Sequence, residues 1–402
     1  MSDQTSPKAA AARLAPSTAD RSGRASLLGR IGDTRTLSLL VVFVLLVVYF
    51  NIASNGIFFS PRNVSLLLRQ ASIVAVAASG VSILIIMGEI DLSIGSAVYL
   101  CSVVAAGLQS YYGVGTGLTV AATLAVGMAL GAWQGVWVVG ISVPSFVVTL
   151  SGLLAFRGIG YWASNAQTIS PVTKSFSFLS EGFIPKPVSM AILAVVLVVA
   201  AAFILRGHWR RARAGNADLV QTLVRLGVLL LATAILAWAF GGFLGIPMAL
   251  VWVAAVGLVL SVLMMRTKFG RNAYLVGSNR EASVLAGIAL GRQLFLGFVL
   301  MGFLYGVSAV LITARLGAAT ASSGLFLELD AIAGAVIGGT SLRGGVGTVG
   351  RAIAGAVLLA TIDNGMSILN VSSFLQMVVK GMVLLCALAV DAYMLKRRRF
   401  RR

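Results

Sequence analysis

Long apolar runs separated by short polar breaks extend from residue 37 almost to the end of this chain. Residues 37–50 and 190–205 contain no Asp, Glu, Lys, Arg or His. A helix needs about 20 such residues to cross the roughly 30 Å hydrocarbon layer, and in water these surfaces would aggregate. The pattern predicts an all-α polytopic membrane protein with spans near 37–53, 64–87, 94–109, 118–139, 146–162, 190–205, 219–240, 248–265, 294–313, 328–338, 349–366 and 374–393. That is about twelve crossings, and an even number is what two cytoplasmic termini require. The short 328–338 stretch is the weakest crossing, and ten spans with re-entrant pieces is the alternative.

Composition agrees: 58% of residues are hydrophobic, only 11% are charged, and the mean hydropathy is +0.97. The net charge of +19 comes in clusters between spans. Lys and Arg gather before residue 36, at Arg206–Arg213, between Arg266 and Arg292, and at Lys396–Arg402. Such spacing follows the positive-inside rule for cytoplasmic loops and argues against nucleic acid as a partner. Residues 1–36, rich in Ala, Ser, Arg and Pro, read as a disordered basic cytoplasmic tail. Residues 37–395 form the transmembrane domain, with 37–53 an uncleaved first span, and 396–402 a basic cytoplasmic terminus that is a candidate contact for membrane lipid. Cys101 and Cys386 lie inside apolar runs and read as small buried hydrophobes. His208 is the sole histidine, without companions for a metal site, and reads as a surface residue; no metal is expected.

Within span four, Gly127, Gly131 and Gly135 make a ridge of small residues that lets another helix approach closely. The remaining chemistry sits in the polar breaks. Glu89 and Asp91, with Ser93, interrupt the second hairpin. A carboxylate at bilayer depth costs about 2.5–3.5 kcal/mol on insertion scales, so each acid either caps the next helix at the interface or faces a path or gate. Asp330, Asp363 and Asn364 raise the same choice, and Arg343, Arg351 and Lys380 are available to neutralise the acids. On residue chemistry alone, a proton-coupled carrier is the main rival mechanism. An intramembrane enzyme lacks a Ser/His/Asp or metal-ligand set.

Residues 277–288 read as a compact cytoplasmic helix. Asn279 is the N-cap, Glu281 sits in the first turn, and Gly287 ends it. Leu285 and Ile288 would share one face, leaving small and apolar residues open for docking. Gly345-x-Gly347-x-x-Gly350 matches a dinucleotide fingerprint literally, but it lacks the preceding strand and the following acid. No Gly-x-x-x-x-Gly-Lys-Ser/Thr occurs, so if ATP drives this chain another subunit must hydrolyse it.

These breaks carry a resemblance. Glu89-Ile90-Asp91-Leu92-Ser93-Ile94-Gly95-Ser96, Gly277-x-Asn279-x-Glu281-Ala282 with Leu285-x-Gly287-Ile288, Glu328-Leu329-Asp330-Ala331-Ile332-Ala333, Ile337-Gly338-Gly339-Thr340-Ser341-Leu342, Asp363-Asn364-Gly365 and Val378-Val379-Lys380-Gly381 occur in order. The chain resembles the membrane permease subunits of bacterial ABC importers for monosaccharides, the ribose/xylose/galactose branch. Val64-Ser65-x-Leu67-Leu68-Arg69-Gln70, Gly131-Ala132-Trp133, Val143-Pro144-Ser145-Phe146, Leu154-Ala155-Phe156-Arg157-Gly158-Ile159 and Glu89 are most like the xylose members.

The resemblance implies a bacterial inner-membrane transport subunit that is not itself an enzyme. It would work as a homodimer with an ABC ATPase subunit and a periplasmic sugar-binding protein, and carry no cofactor of its own because the partner binds ATP. It assigns ATPase coupling to Gly277, Asn279, Glu281, Ala282, Leu285, Gly287 and Ile288. Candidates for the path or gate are Glu89, Asp91, Ser93, Asp330, Thr340, Ser341, Asp363 and Asn364. Arg351 departs from the small or apolar residue usual after the Gly-rich turn.

Overall fold

The computed structural model describes residues 34–215 and 218–399, with backbone alone at 34–38 and 390–399. Residues 1–33 of the expected tail at 1–36, and 400–402 of the expected terminus at 396–402, lie outside the described residues. Helices α1 (Thr34–Ala53), α2 (Pro61–Ile86), α3 (Ile94–Ser110), α4 (Thr116–Gly140) and α5 (Ser145–Ser164) come first. A short α6 (Lys174–Glu181) precedes α7 (Lys186–Arg213), α8 (Leu219–Gly242) and α9 (Met248–Arg266). Two small helices, α10 (Lys268–Ser278) and α11 (Arg280–Leu285), lead to α12 (Leu290–Leu316), α13 (Leu327–Ile337), α14 (Val349–Ile368) and α15 (Ser373–Arg399).

Among the described residues, seven helices are long and apolar enough to cross a membrane: α2, α4, α5, α7, α8, α9 and α12. Shorter apolar helices occupy 39–53, 94–110 and 373–389. Helix α13, at 11 residues, spans only about 16 Å and cannot cross a bilayer alone. It continues into a non-helical stretch at 338–348, a form tolerated at membrane depth only where protein or a cavity surrounds it.

Burial divides the helices. The core is built from α2, α3, α12, α13 and α14, whose inner faces carry Val76, Val81, Tyr99, Phe298, Tyr305, Ala331 and Ala356. By contrast α7 buries only Ser189 and Leu193, so nearly all of its apolar surface is left for lipid. Cys101 is buried, but Cys386 is exposed on α15, because apolar positions on an outer helix face lipid as readily as core.

Helices α4 and α12 meet through glycine. A Cβ at Gly127 would strike the Gly302 carbonyl, one at Gly131 the Phe298 carbonyl, and one at Gly135 the Phe295 ring. The backbones can touch only because those positions lack side chains.

The Arg206–Arg213 cluster and the 164–187 segment both carry regular structure. Arg206–Arg213 is not a loop but the final turns of α7. Arg211 donates to Gln221 at 2.8 Å, and His208 Nδ1 lies 2.8 Å from Thr222 Oγ1, so the histidine is tied to α8. The 164–187 segment contains α6 and strand β1 (Phe183–Ile184), which pairs antiparallel with β2 (Ile246–Pro247), Phe183 opposite Pro247. This clasp marks one end of the bundle, and α10–α11 mark the other.

Candidate coupling and translocation site

At the end opposite the clasp, three segments converge: the α2–α3 break, the α10–α11 corner and the glycine-rich stretch after α13. Each begins with a helix stop written in its sequence. Helix α2 ends in a Schellman turn, with Gly88 at φ +81°, its N–H on Ile85 O and the Glu89 N–H on Leu84 O, both 2.9 Å. Helix α11 closes the same way, Gly287 at φ +79° bonding Val284 and Ile288 bonding Ser283. So does α13, through Gly339 and Thr340.

The segments interlock through their backbones. The Gly345 N–H donates to Ile86 O at 2.8 Å, and a Cβ at Gly277 would collide with that same carbonyl. Tyr274 donates its hydroxyl to Gly347 O at 2.9 Å; burial pushes the phenol's pKa up, opposed by the nearby Arg351 charge. Arg351 turns back to Thr348, the N-cap of α14, its Nε 3.3 Å from the hydroxyl. Thr340 is 1% exposed, its hydroxyl has no hydrogen-bond partner, and Ser341 beside it is also buried.

In the candidate coupling segment, Asn279 caps α11 by accepting the Ala282 N–H at 3.0 Å. Glu281, Ala282, Val284 and Leu285 are open, Leu285 at 89%. Leu285 and Ile288 do not share a helical face as expected. The helix stops at Leu285, and the left-handed Gly287 turns Ile288 inward against the core.

Glu89 and Asp91 take different partners, although both are buried. Glu89 is ion-paired with Arg280, the first residue of α11. Asp91 accepts the Ser93 N–H at 2.8 Å and the Ser93 hydroxyl at 2.7 Å, and the Tyr305 hydroxyl donates to its other oxygen. Gln134 closes the network, its Nε2 donating to Ser93 at 2.5 Å and its Oε1 lying 3.0 Å from the Tyr305 oxygen. Asp91 therefore reaches beyond its own turn to α4 and α12.

Asp330, Asp363 and Asn364 belong to a second cluster on α13–α15. Lys380 lies 3.1 Å from Asp330 and 2.8 Å from Asp363. Asn364 pairs with Asn63 at the start of α2. The structure thus splits the candidate path residues in two. It also adds residues to which sequence reasoning gave no role. Tyr305 and Gln134 complete the Asp91 network. Arg69 pairs with Glu181 at the clasp end, and Arg157 holds the Ser323 carbonyl at 3.1 Å while stacking on Tyr99. A lone polar residue in an apolar helix was the available signal, but it names no partner. Among the described residues no group of His, Cys, Asp and Glu could hold a metal ion.

Residues 63–388 match the family described as branched-chain amino acid transport system / permease component. The chain belongs to this permease family. The permease is 38% identical over 356 residues to the xylose transport system permease protein of Escherichia coli K12, covering 88% of this chain and 91% of that one. Its counterpart in Haemophilus influenzae is 37% identical, with 88% and 95% covered. The ribose import permease protein of E. coli K12 is 32% identical, with 88% and 92% covered. No solved structure matches. The permease is a multi-pass inner-membrane transport subunit, of the type that serves ABC import systems.

Proposed function

We propose that this permease moves D-xylose into the cell as the membrane subunit of an ATP-binding cassette importer. The observation that carries this reading is its 38% identity to proteins named as xylose transport permeases, against 32% for a ribose permease. The basic residues around α10 and α11 support a cytoplasmic position for that end by the positive-inside rule, with the clasp end periplasmic. Twelve crossings then follow if α13 and its extension count as one, with both termini inside. Two copies would enclose the path. A separate ATPase would dock at 277–288 and bind the ATP, a soluble sugar-binding protein would deliver xylose at the clasp end, and the dimer would open alternately to each side.

Reconstitution with the cognate ATPase and binding protein tests this. Xylose should accumulate only when all three proteins and ATP are present, and ribose should compete poorly. Uptake by the permease alone would overturn it. A second reading, a proton-coupled carrier, draws on the buried Asp91. It predicts uptake that collapses with an uncoupler while ATP is clamped.

A further inference from the structure

Glu89 stands in an unfavourable place. It follows the last turn of α2, where the helix dipole is negative, and it is 4% exposed, so dipole and desolvation both oppose its charge. Compensation comes from 191 residues away: the Arg280 guanidinium pairs with the carboxylate and reaches toward the Gly88 carbonyl at 3.5 Å. Arg280 opens α11, the helix whose other face exposes Glu281, Val284 and Leu285. Displacement of α11 therefore bears directly on this pair.

The other contacts between the two segments are of a different kind. Gly277 lies backbone-to-backbone on Ile86. A steric contact transmits a push, but it separates freely under a pull. An ion pair resists separation, and more strongly when one partner is shielded from water.

Beyond Glu89 the chain is anchored. The Ile90 N–H reaches Ser145 Oγ at 3.4 Å, and its carbonyl accepts from Thr149 at 3.2 Å, both on α5. Asp91 is held by Tyr305 and, through Ser93, by Gln134, on the two helices locked by the glycine contact. The break at 87–93 thus has one end fixed to α4, α5 and α12, and the other tied to α11.

We propose that the Arg280–Glu89 pair is the contact that pulls the α2–α3 break when the motor-facing helix moves, so that both are positioning residues for transport. This rests on the reading of 277–288 as the ATPase-coupling segment. The test uses the full complex in liposomes and measures xylose moved per ATP hydrolysed. That ratio should fall about tenfold in E89Q and R280A, within the range of ordinary allosteric couplings. R280K, which keeps the charge, should stay near the wild-type ratio, and the swap E89K/R280E should regain most of what R280E loses. A merely structural pair would lower the amount of assembled complex without changing the ratio. Wild-type ratios in both E89Q and R280A, or a swap no better than R280E, would overturn the proposal. Failure of the wild-type complex to couple ATP to uptake would instead sink the importer reading.

Discussion

Asn63 and Asn364 exchange two amide hydrogen bonds, 2.8 and 3.1 Å long, between the start of α2 and the far end of α14. Both side chains are buried, and Asn63 also donates to Phe58 O at 2.8 Å. Replacing one asparagine leaves the other amide without its partner in a site closed to water. N364A should cost about 1–3 kcal/mol. The double variant N63A/N364A should cost less than the sum of the two singles, because the stranded group is gone as well. Thermal unfolding of the purified permease in detergent measures both.

Lys380 serves two acids, so its loss should outweigh the loss of either. In K380M, Asp330 and Asp363 face each other across α13 and α14 with no cation between them. D330N and D363N each leave one intact pair and remove the surplus negative charge. The expected order of folded yield is D330N and D363N near wild type and K380M well below. The reverse order would show that Lys380 is not what holds the cluster.

The α4–α12 contact admits no side chain. A Cβ at Gly302 would meet the Gly127 carbonyl and lie 3.0 Å from Gly131 Cα, so G302L should prevent the helices from closing and abolish folded protein. Gly158, in mid-helix with nothing near its missing Cβ, is the control. There G158A should stabilise by about 0.5–1 kcal/mol, the usual helical gain. Size-exclusion profiles and melting curves distinguish the two.

Leu285 is 89% exposed, so the folded permease has no use for it. L285D and E281K should melt like the parent, within about 0.5 kcal/mol. Both should nonetheless lose xylose uptake and retention of the ATPase in pull-downs. Normal uptake by both would remove this helix from motor docking.

For Asp91, a role confined to its own turn predicts that D91N loses about 1 kcal/mol of stability and little transport. Its links to Tyr305 and Gln134 predict more: near-complete loss of uptake by D91N with the complex still assembled. Y305F should share that loss, since it removes the hydroxyl that donates to Asp91 from α12. Uptake by proteoliposomes, normalised to assembled permease, separates the two outcomes.

Seven spans were legible because a bilayer demands long apolar helices whatever they pack against. The helix stop at Gly287 was equally plain, since a left-handed turn selects glycine, and the same chemistry ends helices at Gly88 and Gly339. The short helix at 280–285 could be read from Asn279, Glu281 and Gly287. What failed was local: Arg206–Arg213 reads as loop by charge yet stays helical, because a helix leaving the membrane loses nothing by carrying arginines into water. Ile288 was assigned to the wrong face because periodicity was carried across a glycine that reverses the chain.

By itself, then, the sequence determined that this is a polytopic membrane protein, where its chain breaks, and which polar residues it keeps. Those are consequences of hydropathy and turn chemistry, which act over a few residues. Only the tertiary structure decided that Glu89 answers to Arg280, Asp91 to Tyr305 and Gln134, and Lys380 to Asp330 and Asp363. Apolar helices of similar composition can pack in many orders, and the order is set by shape at places such as Gly127 and Gly302. Which charges meet follows from that packing, so pairs up to 214 residues apart leave no mark in the chain between them.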